Sequence, residues 1–200
     1  MKNSEGKIGC IILAAGMAVR YGSAKQLAKV GGKSMLQRAL DCANASSADY
    51  VLLIVGANSS EILSAVDLGR AQVVLNKNFA KGQSTSIKSG IANLPGDCEG
   101  AIIMVADQPF LKTIHLNKII NVFKKGDKSQ VVTLSESGEP RNPVLIPKKL
   151  FPGLLKLKGD VGAKATVRNN KNVRLVEIRD KKVFFDIDTK HAASELKRLE

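Results

Sequence analysis

Residues 10–33 read CIILAAGMAVRYGSAKQLAKVGGK, an apolar run followed by a loop with small and basic residues. Its first four residues are apolar and indicate a buried strand. Small residues follow at Ala14, Ala15 and Gly16, and the loop behind them carries Arg20 and Lys25. In open parallel sheets, ligands bind beyond the carboxyl ends of the strands, where backbone N–H groups and cations suit phosphate. The stretch therefore predicts a polyphosphate ligand, although two solvated cations in an ordinary loop fit it as well.

Outward from this stretch, apolar runs of strand length alternate with segments of helical period. The predicted strands are residues 9–15, 50–56, 72–76, 101–107, 131–135, 143–147, 173–178 and 182–188. The predicted helices open at Ser34 and span residues 59–68, 84–94, 113–125, 148–157, 160–169 and 190–200. Continuous apolar strands that alternate with helices are typical of a mostly parallel sheet with helices on both faces. The fold class is therefore α/β, a three-layer α/β/α arrangement.

Three local features carry their own predictions. Ser34 and Gln37 have the spacing of a capping box, in which each side chain caps the other residue's backbone N–H. The strands that flank Asp180 are expected to form a hairpin. Residues 135–143 are predicted to be the most mobile loop.

Composition excludes several classes of protein. Hydrophobic residues make up 44% and charged residues 24%, which is typical of a globular domain. No apolar run approaches the roughly 20 residues of a membrane helix, and the first residues lack the apolar stretch of a signal peptide. We therefore expect a cytoplasmic protein without membrane contact. The three cysteines are far apart and predict neither disulfides nor a zinc site, and Cys10 and Cys42 are expected to be buried.

The net charge of +13 favours anionic partners. The lysines are scattered, aromatic residues make up only 4%, and no nucleic-acid-binding signature is present. We expect no nucleic-acid partner. A solvated basic surface and a surface that steers small phosphorylated substrates both remain open.

Two nucleotide-binding motifs are absent. The dinucleotide fingerprint GxGxxG does not occur, and GGKS at residues 31–34 would need a glycine in place of Leu27 to complete a P-loop. The phosphate site predicted above therefore belongs to neither class.

Carboxylates stand at the ends of two predicted strands. Asp107 follows a buried strand and is well placed to hold a metal ion, although it could instead cap a turn or the next helix. Asp186 and Asp188 alternate on a strand, so only one of them can face the same site as Asp107. Asp188 is preferred because it ends the strand, although it could instead cap the last helix.

Two helix starts also present polar groups. Residues 82–86, GQSTS, place hydroxyls and free N–H groups where a base edge or a phosphate could bind, although ordinary capping explains them equally well. Residues 159–164, GDVGAK, form a second loop before a helix. His115 and His191 have no catalytic neighbours in the sequence and are expected at the surface.

Taken in order, these motifs resemble the molybdenum cofactor cytidylyltransferases. That family belongs to the MobA-like nucleotidyltransferases, which have a Rossmann-like fold of the GT-A type. The family's LAAGxSxRMGxxK is similar to LAAGMAVRYGSAK at residues 13–25. Its glycine-serine helix start, its DQP, its GDxGAR and its DIDT are similar to the segments that begin at Gly82, Asp107, Gly159 and Asp186. The resemblance covers nearly the whole chain.

The resemblance implies a role for each motif. It implies one nucleotidyltransferase domain over residues 1–200, with a nucleotide-binding part at 8–110 and an acceptor-binding part at 111–200. The implied nucleotide-binding residues are Leu13, Ala14, Ala15, Gly16, Arg20, Lys25, Gly82, Ser84 and Asp107. The implied acceptor-binding residues are Asn142, Pro143, Asp160, Gly162 and Lys164. Asp107 and Asp188 are the implied ligands of Mg²⁺, and Lys25, Arg20 and Asp107 the implied catalytic residues.

The implied reaction is CMP transfer from CTP to molybdopterin, followed by transient contact with a molybdenum hydroxylase. The sequence departs from the family pattern at Ala18, Tyr21 and Lys164, at Arg141, which stands where the family's GxPV has glycine, and after DIDT, where the proline and acidic pair are missing. These departures leave open an enzyme that uses GTP or another acceptor, such as a sugar or alcohol phosphate. A non-catalytic carrier of the molybdenum cofactor is a further alternative.

Overall fold

The structure is a computed structural model that describes residues 6–16 and 25–186. Within these residues the strands are β1 (Lys7–Leu13), β2 (Lys29–Val30), β3 (Lys33–Ser34), β4 (Tyr50–Val55), β5 (Gln72–Leu75), β6 (Cys98–Val105), β7 (Val131–Glu136), β8 (Glu139–Pro147) and β9 (Val173–Glu177). The α-helices are α1 (Met35–Asn44), α2 (Ser59–Ser64), α3 (Gln83–Asn93), α4 (Thr113–Lys125), α5 (Phe151–Leu154) and α6 (Lys164–Arg168). Short 3-10 helices span Lys25–Leu27, Phe79–Lys81, Lys148–Leu150 and Lys181–Phe184.

Seven of these strands form one sheet in the order β5-β4-β1-β6-β8-β7-β9. All of its pairs are parallel except those that β8 makes with β6 and β7. The predicted mostly parallel sheet is therefore confirmed. Because β1 and β6 are parallel neighbours at its centre, their carboxyl ends lie side by side at one edge.

Both faces of the sheet are covered, because each central strand sends alternate side chains to opposite faces. Cys10 and Ile12 of β1 pack with α1 and α4, whereas Ile11 packs with α3, α5 and α6. In β4, Leu53 likewise packs on the face of α1 and α4, whereas Leu52 packs on the face of α3, α5 and α6. The three-layer α/β/α expectation is thus confirmed.

Several sequence predictions about local structure were wrong. Residues 135–143, expected to be a mobile loop, belong to the β7–β8 hairpin, whose turn lies at Ser137 and Gly138. The segment after Asp180 is a 3-10 helix rather than the second strand of a hairpin, because Val183 and Phe184 pack into the α1–α4 core instead of pairing with β9. The predicted last helix lies outside the described residues.

The predicted capping box at the start of α1 forms only in part. The Ser34 side chain accepts a hydrogen bond from the Gln37 backbone at 3.2 Å. The Gln37 side chain does not return to Ser34, because it donates to Asp41 and exchanges hydrogen bonds with the backbone of Asp67. Gln37 therefore fixes the loop after α2 rather than the start of its own helix.

The cysteines and His115 are buried. Burial raises the pKa of every thiol, to about 12 for Cys42 and to about 11 for Cys98, and the thiols are therefore uncharged at neutral pH. His115 is only 8% exposed, and its Nδ1 accepts a hydrogen bond from the Lys112 backbone at 3.0 Å. The expectation of a surface histidine was wrong here, because the ring caps the start of α4. No helix in the described part of the chain is long and apolar enough to cross a bilayer.

Candidate functional site

A cleft of about 450 Å³ opens at the carboxyl edge of the sheet. Seven residues predicted from the sequence line it: Leu13, Ala15, Gly16, Lys25, Gly82, Asp107 and Asp160. They come from the end of β1, the loop after it, the start of α3, the end of β6 and the loop before α6. The strand topology thus brings together four of the five motifs singled out above.

The turn after β1 forms one wall, and Gln26 holds its shape. The Ala14 N–H donates to the Ile54 carbonyl at 2.9 Å, which continues the pairing of β1 with β4. The Gln26 side chain donates to the carbonyls of Ala14 and Gly16, at 3.2 Å each. Gln26 therefore fixes the small-residue turn from the other side of the loop. No sequence motif pointed to Gln26, because its side chain acts on backbone atoms ten and twelve positions away.

Lys25 and Asp107 form an ion pair on the cleft wall. The distance from Lys25 Nζ to Asp107 Oδ2 is 3.0 Å, and the two side chains are 16% and 31% exposed. Asp107 does not cap α4, which begins six residues later with Lys112 as its N-cap. The pair therefore places a cation and a carboxylate where β1 and β6 end, as the sequence predicted.

Asp107 also has the chemistry of a metal ligand. Its Oδ1 is buried, and no described residue gives it a hydrogen bond. A carboxylate oxygen with an unused lone pair fits Mg²⁺, which takes one or two protein carboxylates and completes its shell with waters and phosphate oxygens. The part of the chain that the structure describes holds no cluster of three or more metal-ligating side chains, so Asp107 would act there with few protein partners.

The start of α3 meets the loop before α6. The Ser84 N–H donates to the Gly159 carbonyl at 3.1 Å, and the Gln83 N–H donates to Asp160 Oδ1 at 3.2 Å. Gly82 has φ 102° and ψ 169°, a conformation essentially restricted to glycine. A Cβ on Gly82 would collide with the backbone of Gly159 and Asp160. Glycine at this position therefore allows the two loops to pack together.

The β7–β8 hairpin reaches the same edge of the sheet. Ile103 of β6 pairs with Val144 of the antiparallel β8, so Asn142 and Pro143 lie further toward the carboxyl end of β6. The peptide bond between Asn142 and Pro143 is cis. Neither residue lines the cleft wall described above.

Glu177, at the end of β9, holds the turn of this hairpin. Its carboxylate accepts hydrogen bonds from the Ser135 hydroxyl and the Ser137 N–H, both at 2.6 Å. These bonds, that from Ser135 first, hold the pKa of Glu177 below its ordinary value. A further anchor is the Thr133 hydroxyl, which donates to the Arg141 carbonyl at 2.6 Å.

A family model described as the MobA-like NTP transferase domain matches residues 10–175. The chain belongs to this family. The chain is 28% identical over 192 residues to the purine catabolism protein PucB of Bacillus subtilis (strain 168), with 90% of each chain covered. It is 24% identical over 187 residues to the nicotine blue oxidoreductase of Paenarthrobacter nicotinovorans, covering 90% of this chain and 91% of the other.

Among solved structures, Rv0371c of Mycobacterium tuberculosis H37Rv is similar over 98% of this chain and 100% of its own, with 25% identity and a TM-score of 0.86. A complex of Rv0371c with manganese gives a TM-score of 0.82 at 25% identity, over 95% of this chain and 97% of the other. The fold is thus that of the GT-A-like nucleotidyltransferases, and this MobA-like protein is a nucleotidyltransferase.

Not every predicted site residue of this MobA-like protein lies on the cleft wall. Ser84 is only 1% exposed, and its hydroxyl has no hydrogen-bond partner among the described residues. Gly162 lies beside the side chain of Gln83, and Lys164 begins α6 with its side chain exposed. Arg20 and Asp188 lie outside the described residues, and their roles stay predictions.

Ser86 is a cleft residue that sequence reasoning missed. It belongs to the same GQSTS segment as Ser84, and the signal that could have found it is the helical period. Positions 83 and 86 are three residues apart and share one face of α3, whereas position 84 turns into the core. Applied to the start of α3, this spacing would have favoured Ser86 over Ser84.

Proposed function

We propose that this protein transfers CMP from CTP to the terminal phosphate of molybdopterin and releases pyrophosphate. The observation that carries the proposal is the Lys25–Asp107 pair, on a cleft that also holds the small-residue turn after β1 and the start of α3. These groups offer backbone N–H donors, a cation and a metal-binding carboxylate at one sheet edge, which is what a nucleoside triphosphate requires. The order of the sequence motifs supports CTP and molybdopterin among the substrates that such a cleft could take.

The chemistry of this transfer needs little more than positioning and charge neutralisation. An oxygen of the acceptor phosphate attacks the α-phosphorus, a new P–O bond forms, and the bond to the β-phosphate oxygen breaks. The acceptor phosphate is already ionised at neutral pH, so no general base is required. Lys25, together with Arg20, would hold the pyrophosphate as negative charge develops on it.

Asp107 would hold Mg²⁺ together with Asp188, through carboxylate oxygens such as Oδ1, which receives no hydrogen bond from the described residues. When bound, Mg²⁺ supplies positive charge to the phosphate oxygens of the nucleotide. The Rv0371c complex with manganese supports a divalent cation in this family, because that protein is similar to this chain over nearly its whole length.

The acceptor would approach from the side of the hairpin and α6. Asp160 is the one predicted acceptor residue on the described cleft wall, and Asn142 lies at the same sheet edge. Molybdopterin is anionic, and the net charge of +13 favours its approach.

The proposal is tested by measuring pyrophosphate release with Mg²⁺ and molybdopterin, with CTP, GTP and ATP compared in parallel. We expect release with CTP and little with the other two nucleotides. Asp107→Asn protein serves as the control, since it keeps the size of the side chain and removes the charge. Release with GTP instead would overturn the choice of base, and release only with a sugar or alcohol phosphate would overturn the acceptor. Nucleotide binding without release on any acceptor would identify a carrier.

A further inference from the structure

Asn76 is a buried residue whose side-chain amide contacts Ser86, a residue of the cleft wall. It follows β5 directly and is only 2% exposed. Its backbone N–H donates to the Val55 carbonyl at 2.8 Å, which continues the pairing of β4 with β5. Its side chain makes three hydrogen bonds and connects the end of β5 with the first turn of α3.

The orientation of this amide is fixed by its partners. The Asn78 backbone N–H lies 3.0 Å from Oδ1, and a backbone N–H can only donate. The acceptor atom of the amide must therefore face Asn78. The NH₂ group then points toward α3, where it donates to Thr85 Oγ1 at 2.9 Å and to Ser86 Oγ at 3.0 Å.

The hydroxyls of Thr85 and Ser86 differ in whether their protons have an acceptor. Thr85 accepts from Asn76 and donates its own proton to the Gly82 carbonyl at 2.8 Å. Ser86 also accepts from Asn76, but none of the described residues accepts its proton. Ser86 lines the cleft and is 5% exposed. Its hydroxyl therefore still has a proton to donate at the cleft wall.

We infer that Asn76 is a positioning residue that makes the Ser86 hydroxyl a donor toward the bound nucleotide. The inference rests on the proposed nucleotide site, but not on the choice of CTP. Ser86 belongs to the α3 wall, whereas Lys25 and Asp107 carry the charges that suit phosphate. The partner of Ser86 is therefore an acceptor atom at the base end of the nucleotide, either a carbonyl oxygen or an unprotonated ring nitrogen.

Asn76→Asp tests this inference, because it replaces the NH₂ donor of the amide by an acceptor oxygen and nearly keeps the shape of the side chain. The introduced carboxylate can still accept the hydrogen bond from the Asn78 N–H. It has no proton to donate to Ser86, so the Ser86 hydroxyl instead donates its own proton to the carboxylate, away from the cleft. Loss of one neutral hydrogen bond corresponds to about three- to tenfold in affinity. We expect the KM for the preferred nucleotide to rise by about that factor or more, with kcat changed by less than about twofold.

A double-mutant cycle separates positioning from a structural role. Ser86→Ala alone should also raise KM by about three- to tenfold. In the Ser86→Ala background, Asn76→Asp should add little, because the hydroxyl it acts on is gone. A rise in KM by the same factor with and without Ser86 would overturn the inference, and so would an unchanged KM in Ser86→Ala.

Two further variants keep the test decisive. If Asn76→Asp does not fold, Asn76→Ala removes the amide donors without a buried charge and enters the same cycle. Asn44→Asp is the matched control, since the Asn44 amide donates to the Leu68 carbonyl at the end of α1, away from the cleft. It should lower the thermal midpoint and leave KM unchanged; a KM rise equal to that of Asn76→Asp would overturn the inference.

Failure of the proposed function has a different readout. Wild-type protein that prefers GTP overturns the proposed base, and the coupling between Asn76 and Ser86 is then measured with GTP. Wild-type protein that binds none of CTP, GTP, ATP and UTP by calorimetry overturns both the proposed function and the inference.

Discussion

Two regions at the carboxyl edge of the sheet are held in place by different kinds of contact. On the β1–β6 side, Lys25 and Asp107 come together because two parallel strands end side by side. On the hairpin side, which comprises β7, β8 and the end of β9, side chains such as Glu177 and Thr133 hold backbone that the strands alone do not fix. The first side therefore depends on the register of a buried sheet, and the second on individual side-chain hydrogen bonds. Substitutions should accordingly affect catalysis more strongly on the first side.

The largest effect is expected at Asp107. Asp107→Asn removes a charge that the transition state needs, and kcat should fall by about 10²–10³-fold while the thermal midpoint changes little. Steady-state pyrophosphate release measures it. Asp97→Asn is the matched control, because Asp97 is also ion-paired to a lysine but lies at the opposite edge of the sheet, before β6. Near-normal turnover in Asp107→Asn would contradict the assigned role.

The junction between the start of α3 and the loop before α6 should come next. Gly82→Ala places a Cβ against the Gly159 backbone and puts alanine at a φ that only glycine adopts without strain. It should therefore lower the free energy of unfolding by about 1–3 kcal/mol. The KM for the nucleotide should rise as well, since the start of α3 must shift. Denaturant unfolding and kinetics measure the two effects. Gly96→Ala has open space around its Cβ and should leave both unchanged.

A smaller effect is expected at Glu177. Glu177→Ala should raise the KM for the acceptor by about three- to tenfold and leave that for the nucleotide unchanged, because it frees only the hairpin turn. Glu177→Gln, which keeps an acceptor for Ser137, should recover part of the loss. Equal effects on both substrates would show that the two sides are not independent.

Glu177 also predicts a pH dependence. Because its pKa is lower in the folded protein than in the unfolded chain, its contribution to stability is present above the unfolded pKa and is lost as pH falls through the folded value. Wild-type protein should therefore lose more stability than Glu177→Gln between pH 6 and pH 3. Denaturant unfolding at both pH values measures the difference, and parallel losses would contradict it.

The smallest effect should come from Arg141. Its guanidinium pairs with Glu136 at 2.8 Å, but it is 41% exposed, and pairs of this kind contribute only about 0–1 kcal/mol. Arg141→Gln should leave both KM values within about twofold of wild type. A loss as large as that of Glu177→Ala would show that the ion pair, rather than the carboxylate of Glu177, holds the hairpin.

The sequence predicted the β1–β6 side well, for a physical reason. Uninterrupted apolar runs identify buried parallel strands, and the residues just after such strands must gather at one edge. Lys25, Asp107 and the small-residue turn after β1 could therefore be placed together from the order of residues alone. The hairpin side was predicted poorly, because residues 135–143 are polar and look like a loop. They form strands because they pair with each other across the hairpin and, at Ser135, with β9, and local composition does not report such pairing.

The order of residues thus predicted the layered fold, the sheet edge at which the cleft lies and two charged residues of its wall. How these groups are held follows only from the folded chain. Gln26 shapes the turn after β1, Gly82 admits the loop of Asp160, and Asn76 orients Ser86. Each of these roles depends on atoms ten or more residues away, and an amide or hydroxyl acquires its donor or acceptor role only when the folded chain supplies its partners.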